Sequence, residues 1–347
     1  MRILFVTPPL GPIGSGESGG VETHLLTLAP ILVERGHSVG VVAPAGSLLP
    51  VPGATLYEAA GEPSPSATRA ERSAVTIMRA GGLVENMWEL AFRVQESYDA
   101  IVGVSYDWLP FYLTPFFRTR VFHWISICSA IETVDRMIEQ RWRDGGLRLA
   151  LYTQAQTATF PFLDPARVAL LYGAVDPAVF KFNLQPQGRL CWAGRISPEK
   201  GLADATAAAR ALNMPLDVCG AIQDEAYWGN LPKEGVTYHG FLPPAELQRR
   251  YANACAMLAT PHWIEAFGNA VIEAMSCGTP VVAYNRGGPV EIIEHGQSGV
   301  LVPQGDVRGL GEGVREAMRL DRRRVAARAA DFSVIRMADR FEAWIGA

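Results

Sequence analysis

The chain has 347 residues, 49% of them hydrophobic, with a formal net charge of -4 and a pI near 5.9. That length suits two domains with cores of ordinary size, and the acidic balance speaks against general nucleic-acid binding. No apolar stretch approaches the ~20 residues needed to span a bilayer, and Met1-Arg2 leads directly into a strand, so no signal peptide is expected. The five cysteines show no C-x-x-C or metal-ligand spacing, which fits reduced packing thiols and a cytoplasmic location.

Ile3 to Thr7 reads as the first strand. Val21 to Arg35 reads as a helix with Val21, Leu25, Leu28 and Leu32 on one face; Gly36 ends it, and Val39 to Ala43 is the next strand. Gly14 to Gly19, between strand and helix, matches G-x-G-x-x-G. Prolines separate that match from the strand and no acid ends the second strand, so a dinucleotide reading is rejected. Gly19-Gly20-Val21-Glu22 is more informative, because glycines at a helix start let backbone N–H groups approach an anion; a plain flexible turn is the alternative.

Gly61 to Ser73 is polar and rich in Pro and Ser, a mobile surface loop by composition. A helix over Leu83 to Ser97 leads into the strand Ala100 to Val104 and then into Tyr106-Asp107-Trp108-Leu109-Pro110-Phe111-Tyr112 and Pro115-Phe116-Phe117. Aromatic residues just past a strand's carboxyl end can form a platform for a flat ligand, with Asp107 accepting hydrogen bonds at its edge. Core packing and a membrane-touching patch stay open for the same residues. Val121 to Trp124 is the next strand, with His123 near its end, and βα alternation continues from Ile131 to Ser333, including a strand over Arg167 to Tyr172.

A second domain opens near Gly188 with the strand Arg189 to Ala193, followed by Gly194-Arg195-Ile196-Ser197-Pro198-Glu199-Lys200-Gly201. Two cations after a strand, ahead of a helix at Gly201-Leu202, suit a diphosphate: Arg195 can hold oxygens bidentately and Lys200 adds a point charge. The absence of a D-x-D pair leads us to expect no metal, with fixed cations neutralising the leaving group. Strands follow at Leu216 to Cys219, Val236 to Gly240, Met257 to Ala259 and Pro280 to Ala283, and Arg322 to Arg324 reads as a solvated helix face. Between the last two strands a helix opens at Phe267-Gly268-Asn269 and runs to Cys277, where Gly278 and Pro280 stop it. Glu265 precedes its first turn and Glu273 lies one turn inside. That turn attracts phosphate, and the flanking carboxylates can accept from sugar hydroxyls and a ribose diol.

The runs E-A-F-G-N-A-V-I-E, E-A-M-S-C-G-T-P-V-V, G-G-P-V-E-I-I and S-G-V-L-V, with G-R-x-x-x-E-K-G upstream, resemble the donor-binding signature of retaining glycosyltransferases of family GT4. The resemblance covers nearly the whole chain and is stronger from Gly188 onward. It implies an α/β GT-B fold: two Rossmann-like βαβ domains facing a cleft, with a C-terminal helix (Val334 to Ile345) crossing back to the N-terminal domain. The implied division is residues 1–182 plus 333–347 for the acceptor and 183–332 for the nucleotide-sugar.

By the same resemblance the donor would meet Gly19, Gly20, Gly194, Arg195, Lys200, Phe241, Leu242, Glu265, Ala266, Phe267, Gly268, Asn269 and Glu273. The turn at Gly240-Phe241-Leu242 would hold the base. His123, Glu265, Arg195 and Lys200 would be catalytic, in a same-face displacement where the departing phosphate oxygen takes the acceptor's proton. The acceptor would lie against Gly16, Glu22, Tyr106, Asp107, Trp108 and His123. Gly173 stands where the family has asparagine, so no role carries over to it. No cofactor is implied beyond the nucleotide-sugar itself. G-P-I-G-S-G, A-P-A-G-S, Y-D-W-L-P-F-Y-L-T-P-F-F and A-T-F-P-F are similar to segments of UDP-glucose:tetrahydrobiopterin glucosyltransferases, which implies UDP-glucose as donor and a pterin as acceptor. Two alternatives stand beside this: transfer to a lipid or polysaccharide at a membrane surface, and a non-catalytic nucleotide-sugar-binding protein.

Overall fold

A computed structural model describes residues 1–14, 20–63, 67, 70–77 and 80–346. The chain forms two compact units, Met1–Tyr172 with Val334–Ala347, and Gly173–Ser333.

The first unit contains β1 (Arg2–Val6), α1 (Gly20–Glu34), β2 (Ser38–Pro44), β3 (Thr55–Ala59), α2 (Leu83–Val94), β4 (Ala100–Gly103), α3 (Trp108–Leu113), β5 (Arg120–Trp124), α4 (Glu132–Arg143), β6 (Leu149–Leu151), α5 (Gln154–Thr157) and β7 (Ala169–Leu170). Among the described residues these make a seven-stranded sheet in the order β3-β2-β1-β4-β5-β6-β7, its pairs all parallel. Ile3, Leu4, Phe5 and Val6 are all buried, as a parallel strand covered by helices on both faces requires.

The second unit contains β8 (Arg189–Ala193), α6 (Leu202–Ala211), β9 (Leu216–Cys219), α7 (Glu225–Asn230), β10 (Val236–Tyr238), α8 (Pro244–Asn253), β11 (Ala254–Ala259), α9 (Asn269–Ser276), β12 (Val281–Tyr284), α10 (Pro289–Ile292), β13 (Gly299–Val302), α11 (Val307–Ala317) and α12 (Arg322–Ala329). Its six strands run in the order β10-β9-β8-β11-β12-β13. The final helix, α13 (Val334–Gly346), belongs to the first unit. There Phe341 stacks on Phe5 at 5.5 Å and Trp344 meets Phe122 at 5.2 Å, while Arg35 and His37 both reach Glu342.

Several sequence expectations need correction. Residues 173–182 fall in the second unit, not the first: Val175 N–H donates to the Phe332 carbonyl at 3.0 Å and Ser276 Oγ to the Phe180 carbonyl at 2.9 Å. The strand expected over Arg167 to Tyr172 shrinks to Ala169–Leu170, because Pro165–Arg167 is a 3-10 turn and Tyr172 turns left-handed at φ 52°. Helix α2 ends at Val94, and Gln95–Ser97 is a separate 3-10 turn. Arg322 is buried instead of solvated. Its guanidinium donates to the carbonyls of Asn183, Ala252 and Ala254 and to Thr279 Oγ1. The Gly61–Ser73 stretch lies partly outside the described residues; at its end Arg72 pairs with Asp135 at 2.6 Å and donates to Ser129.

Candidate functional site

Strand β8 has β9 on one side and β11 on the other, so chain order reverses between β8 and β11. Open α/β sheets bind ligands beyond the carboxyl ends of the strands at such a point. The loops leaving these two strands carry Arg195 and Lys200 on one and Trp263, Glu265 and Phe267 on the other.

Glycine permits the loops to touch. Gly201 has φ 66°, and a Cβ there would lie 1.9 Å from the Thr260 carbonyl oxygen, so any other residue would push the β8 loop off the β11 loop. Thr260 Oγ1 in turn donates to the Gly201 carbonyl at 2.8 Å. On the far side a Cβ at Gly288 would fall 2.0 Å from the Phe267 carbonyl, and Gly288 N–H donates to the Glu265 carbonyl at 2.8 Å. The backbone that carries Glu265 is therefore held from both directions.

Lys200 Nζ meets Glu265 Oε2 at 2.6 Å, with side-chain exposures of only 18% and 21%. Trp263 Nε1 donates to the same oxygen at 3.0 Å. Burial works to raise the Glu265 pKa, yet Lys200, the indole N–H and Arg195 together bring it below the usual carboxylate value. Arg195 donates to Gln223 at 3.2 Å. Gly268 precedes α9 at φ 121°, and Asn269 begins the helix. Ala266, Gly268 and Asn269 are half-buried and Phe267 is buried, its ring 5.7 Å from Phe332. One turn on, the half-buried Glu273 accepts from Tyr251 Oη at 3.1 Å, and burial pushes its carboxyl up to about 7. Phe241, 64% exposed, and Leu242 follow β10, two strands away from β8 in the sheet order.

The structure therefore brings Arg195, Lys200, Glu265 and the start of α9 together at one end of one sheet. The sequence reading missed the residues between them. His262 is clamped: its N–H donates to the Glu199 carbonyl at 2.8 Å, its carbonyl accepts from Arg286 at 3.1 Å and Gln304 at 3.0 Å, and Nε2 lies 2.7 Å from Asp204 Oδ2. Trp263 follows it. Its ring lies 4.6 Å from Lys200 Nζ and 5.9 Å from Arg195 Cζ. An aromatic two residues before a loop acid, opposite a loop with two cations, was the available signal.

The first unit departs from expectation. His123, named as a catalytic group, is 1% exposed. It sits among Trp88 and Phe111, with Nε2 2.7 Å from Thr114 Oγ1, and burial brings its pKa down to about 3. It is a neutral core residue. Tyr106, expected at an acceptor platform, is buried, with its hydroxyl donating to Asp135 and accepting from the amides of Ala130 and Ile131. Asp107 caps α3, accepting from Leu109 N–H at 3.1 Å, and burial raises its pKa. Half-buried Trp108 stacks on Tyr112 at 4.7 Å. Glu22 lies in the first turn of α1 and accepts from Gly14 N–H at 2.6 Å. Gly20 opens that helix. Gly16 and Gly19, with most of the G-x-G-x-x-G match, lie outside the described residues.

Residues 179–331 match the family model described as Glycosyl transferases group 1. The D-inositol 3-phosphate glycosyltransferase of Segniliparus rotundus is 27% identical over 348 residues, covering 85% of this chain and 76% of the relative. Sucrose synthase of Solanum tuberosum is 54% identical over 57 residues, only 16% of this chain and 7% of the relative. Among solved structures, sucrose-phosphate synthase from Thermosynechococcus elongatus superposes with a TM-score of 0.76 at 17% identity, covering 99% of this chain and 98% of that one. Anabaena HepE in complex with UDP and glucose gives 0.74 at 19% identity, covering all of both chains. The fold is thus GT-B, and the chain is an enzyme of the transferase class. More narrowly it is a glycosyltransferase, and its similarity to the group 1 model lies within the second unit.

Proposed function

We propose that the chain is a retaining hexosyltransferase that takes glucose from UDP-glucose and passes it to a small hydroxyl-bearing acceptor in the cytoplasm. The observation that carries this is the meeting of Lys200, Glu265 and Trp263, with Arg195 beside them, where chain order reverses in the second sheet. Arg195, Lys200 and the positive N-terminal end of α9 suit the donor diphosphate. Glu273 accepts from the ribose diol in its ionised form, and Glu265 orients the sugar once the diphosphate competes for Lys200. A fixed cation pair close to the leaving group stabilises its developing charge without reorganisation, and the departing oxygen then takes the acceptor's proton. No residue of the first unit is assigned a chemical step. Support for the donor comes from relatives: HepE was solved with UDP and with UDP-glucose.

For the acceptor, a pterin is the first candidate on the strength of four sequence segments alone, because Tyr106 and Asp107 are already engaged inside the first unit. A screen of UDP-, GDP- and ADP-glucose against pterins and polyols, with mass detection and an anomeric proton spectrum of the product, tests the proposal. An α-linked glucoside from UDP-glucose is expected; a β-linked product would overturn retention, and binding without any transfer would support the non-catalytic alternative.

A second reading, transfer to a lipid or polysaccharide acceptor at a membrane surface, is favoured by exposed aromatics near α3: Phe92 at 48% and Phe116 at 57%, with Tyr112 between the rings of Trp108 and Phe116. Co-sedimentation with anionic liposomes is expected to fail under the first reading and succeed under the second.

A further inference from the structure

We infer that Trp263 is a positioning residue for the donor diphosphate, its ring face holding both cations in place and its N–H holding Glu265. This rests on the donor-site reading given above and assigns a role to the one residue of that meeting which the reading leaves without one.

Three contacts converge on one side chain. The indole lies 4.6 Å from Lys200 Nζ and 5.9 Å from Arg195 Cζ, and its N–H donates to Glu265 at 3.0 Å. An aromatic ring has a negative face and a positive edge, so Trp263 offers the complementary sign to each of its three neighbours. Lysine and arginine are long side chains with much rotamer freedom to lose. A platform under both reduces the ordering that diphosphate binding must otherwise supply.

The platform itself is fixed. His262, just before it, is tied through its backbone to Glu199, Arg286 and Gln304 and through its ring to Asp204, which also accepts from Tyr284 Oη. Glu265, just after it, is tied through its carbonyl to Gly288 N–H. Because Glu199 lies in the β8 loop between Arg195 and Lys200, the same clamp joins the loop bearing the cations to the loop bearing the ring. Short ties on both flanks of one aromatic residue are what a preorganised site needs.

Calorimetry of the whole chain with UDP and with UDP-glucose, beside initial rates, tests the inference. Trp263→Met keeps apolar bulk without a ring face and is expected to weaken UDP binding about tenfold or more, raising KM more than it lowers kcat. Trp263→Phe restores a ring face without the N–H and is expected to recover most of that affinity. A merely structural role would lower Tm in both variants without separating KM from kcat. Binding by Trp263→Met equal to the parent's, or equal weakening in Met and Phe, would overturn the inference. Should Trp263→Met not fold, fluorinated tryptophan, which weakens the ring face at constant shape, makes the same distinction through loss or retention of UDP affinity. If the parent chain binds none of UDP-, GDP- and ADP-glucose, the donor-site reading fails and this inference with it; parent binding with an indifferent Trp263 sinks this inference alone.

Discussion

Each sheet of this chain has a point where strand order reverses, between β8 and β11 in the second unit and between β1 and β4 in the first. The two are filled differently. Beyond β8 and β11, cation meets carboxylate at 2.6 Å with an indole against both. Beyond β4, Tyr106 turns its hydroxyl into a network with Asp135 and Asp107 caps a helix; on the neighbouring strand His123 is enclosed by rings. The contrast teaches that a strand's carboxyl end is a permissive place, not a functional one by itself. Charged groups left near the surface with unspent hydrogen-bonding capacity mark chemistry; polar groups whose bonds are all answered by their own fold mark packing.

The largest effect that could break this comparison is at Lys200. Lys200→Met strips Glu265 of its ion-pair partner, leaving a half-buried carboxylate that only Trp263 and the more distant Arg195 still oppose. Turnover of UDP-glucose is expected to drop by about 100-fold or more, and stability by about 2–3 kcal/mol. Initial rates and urea unfolding measure the two separately. Unchanged turnover in a folded variant would mean that the second unit's charge cluster is as structural as the first unit's aromatic one.

His123 tests the other side. If it is a core residue, His123→Leu costs about 1–3 kcal/mol through Thr114 and the lost ring contacts, with kcat for UDP-glucose unaltered in the folded fraction. Its pKa lies below the ordinary value, so the unfolded chain binds the extra proton as pH falls below 6.5. The stability it contributes is therefore full above pH 6.5 and drains away as pH drops toward about 3. Denaturation midpoints between pH 7 and 4 should fall more steeply in the parent than in the variant. A collapse of kcat with folding intact would restore the histidine to the chemistry.

These outcomes bear on what the sequence could disclose. The α/β alternation was legible because parallel strands such as Ile3–Val6 and Met257–Ala259 are apolar on both faces. The charged loop was legible because Arg195, Lys200 and Glu265 follow strand ends. Trp263 was legible only as an aromatic near a loop acid: sequence spacing does not say which way an indole turns, and its role comes from a loop some sixty positions earlier. His123 was misread for the same reason, since a strand-end histidine looks alike whether its ring meets solvent or Trp88. Arg322 looked solvated because it opens an arginine run, whereas buried carbonyls at Ala252 and Ala254 claim its guanidinium.

A smaller effect sharpens the comparison inside the second unit. The carboxyl of Glu273 titrates near 7, above its ordinary 4.5, through burial. A raised carboxyl pKa favours folding below the ordinary value, and that contribution is lost as pH rises through about 7. Glu273→Gln should therefore remove a decline in stability between pH 5 and 8, on the order of 1–3 kcal/mol in the parent. Donor affinity runs the opposite way: only the ionised group accepts from two ribose hydroxyls, so UDP binding by the parent should strengthen from pH 6 to 8. In Glu273→Gln it should be about tenfold weaker and flat with pH. Calorimetry at three pH values reads both trends.

The smallest effect is expected at Asp107, where the first unit's reading is most easily reversed. Its carboxylate accepts from Leu109 N–H at the start of α3, and its raised pKa reflects burial ahead of any partner. Asparagine is an equally good N-cap, so Asp107→Asn should cost well under about 1 kcal/mol. Transfer to any acceptor, pterin included, should change less than about twofold. Had the carboxylate paired with the guanidine-like edge of a pterin, the same substitution would replace an acceptor pair with one acceptor and one donor, and acceptor KM would rise by an order of magnitude or more. A rise in acceptor KM with α3 intact by circular dichroism would put chemistry back into the first unit's reversal point and end the contrast drawn between the two sheets.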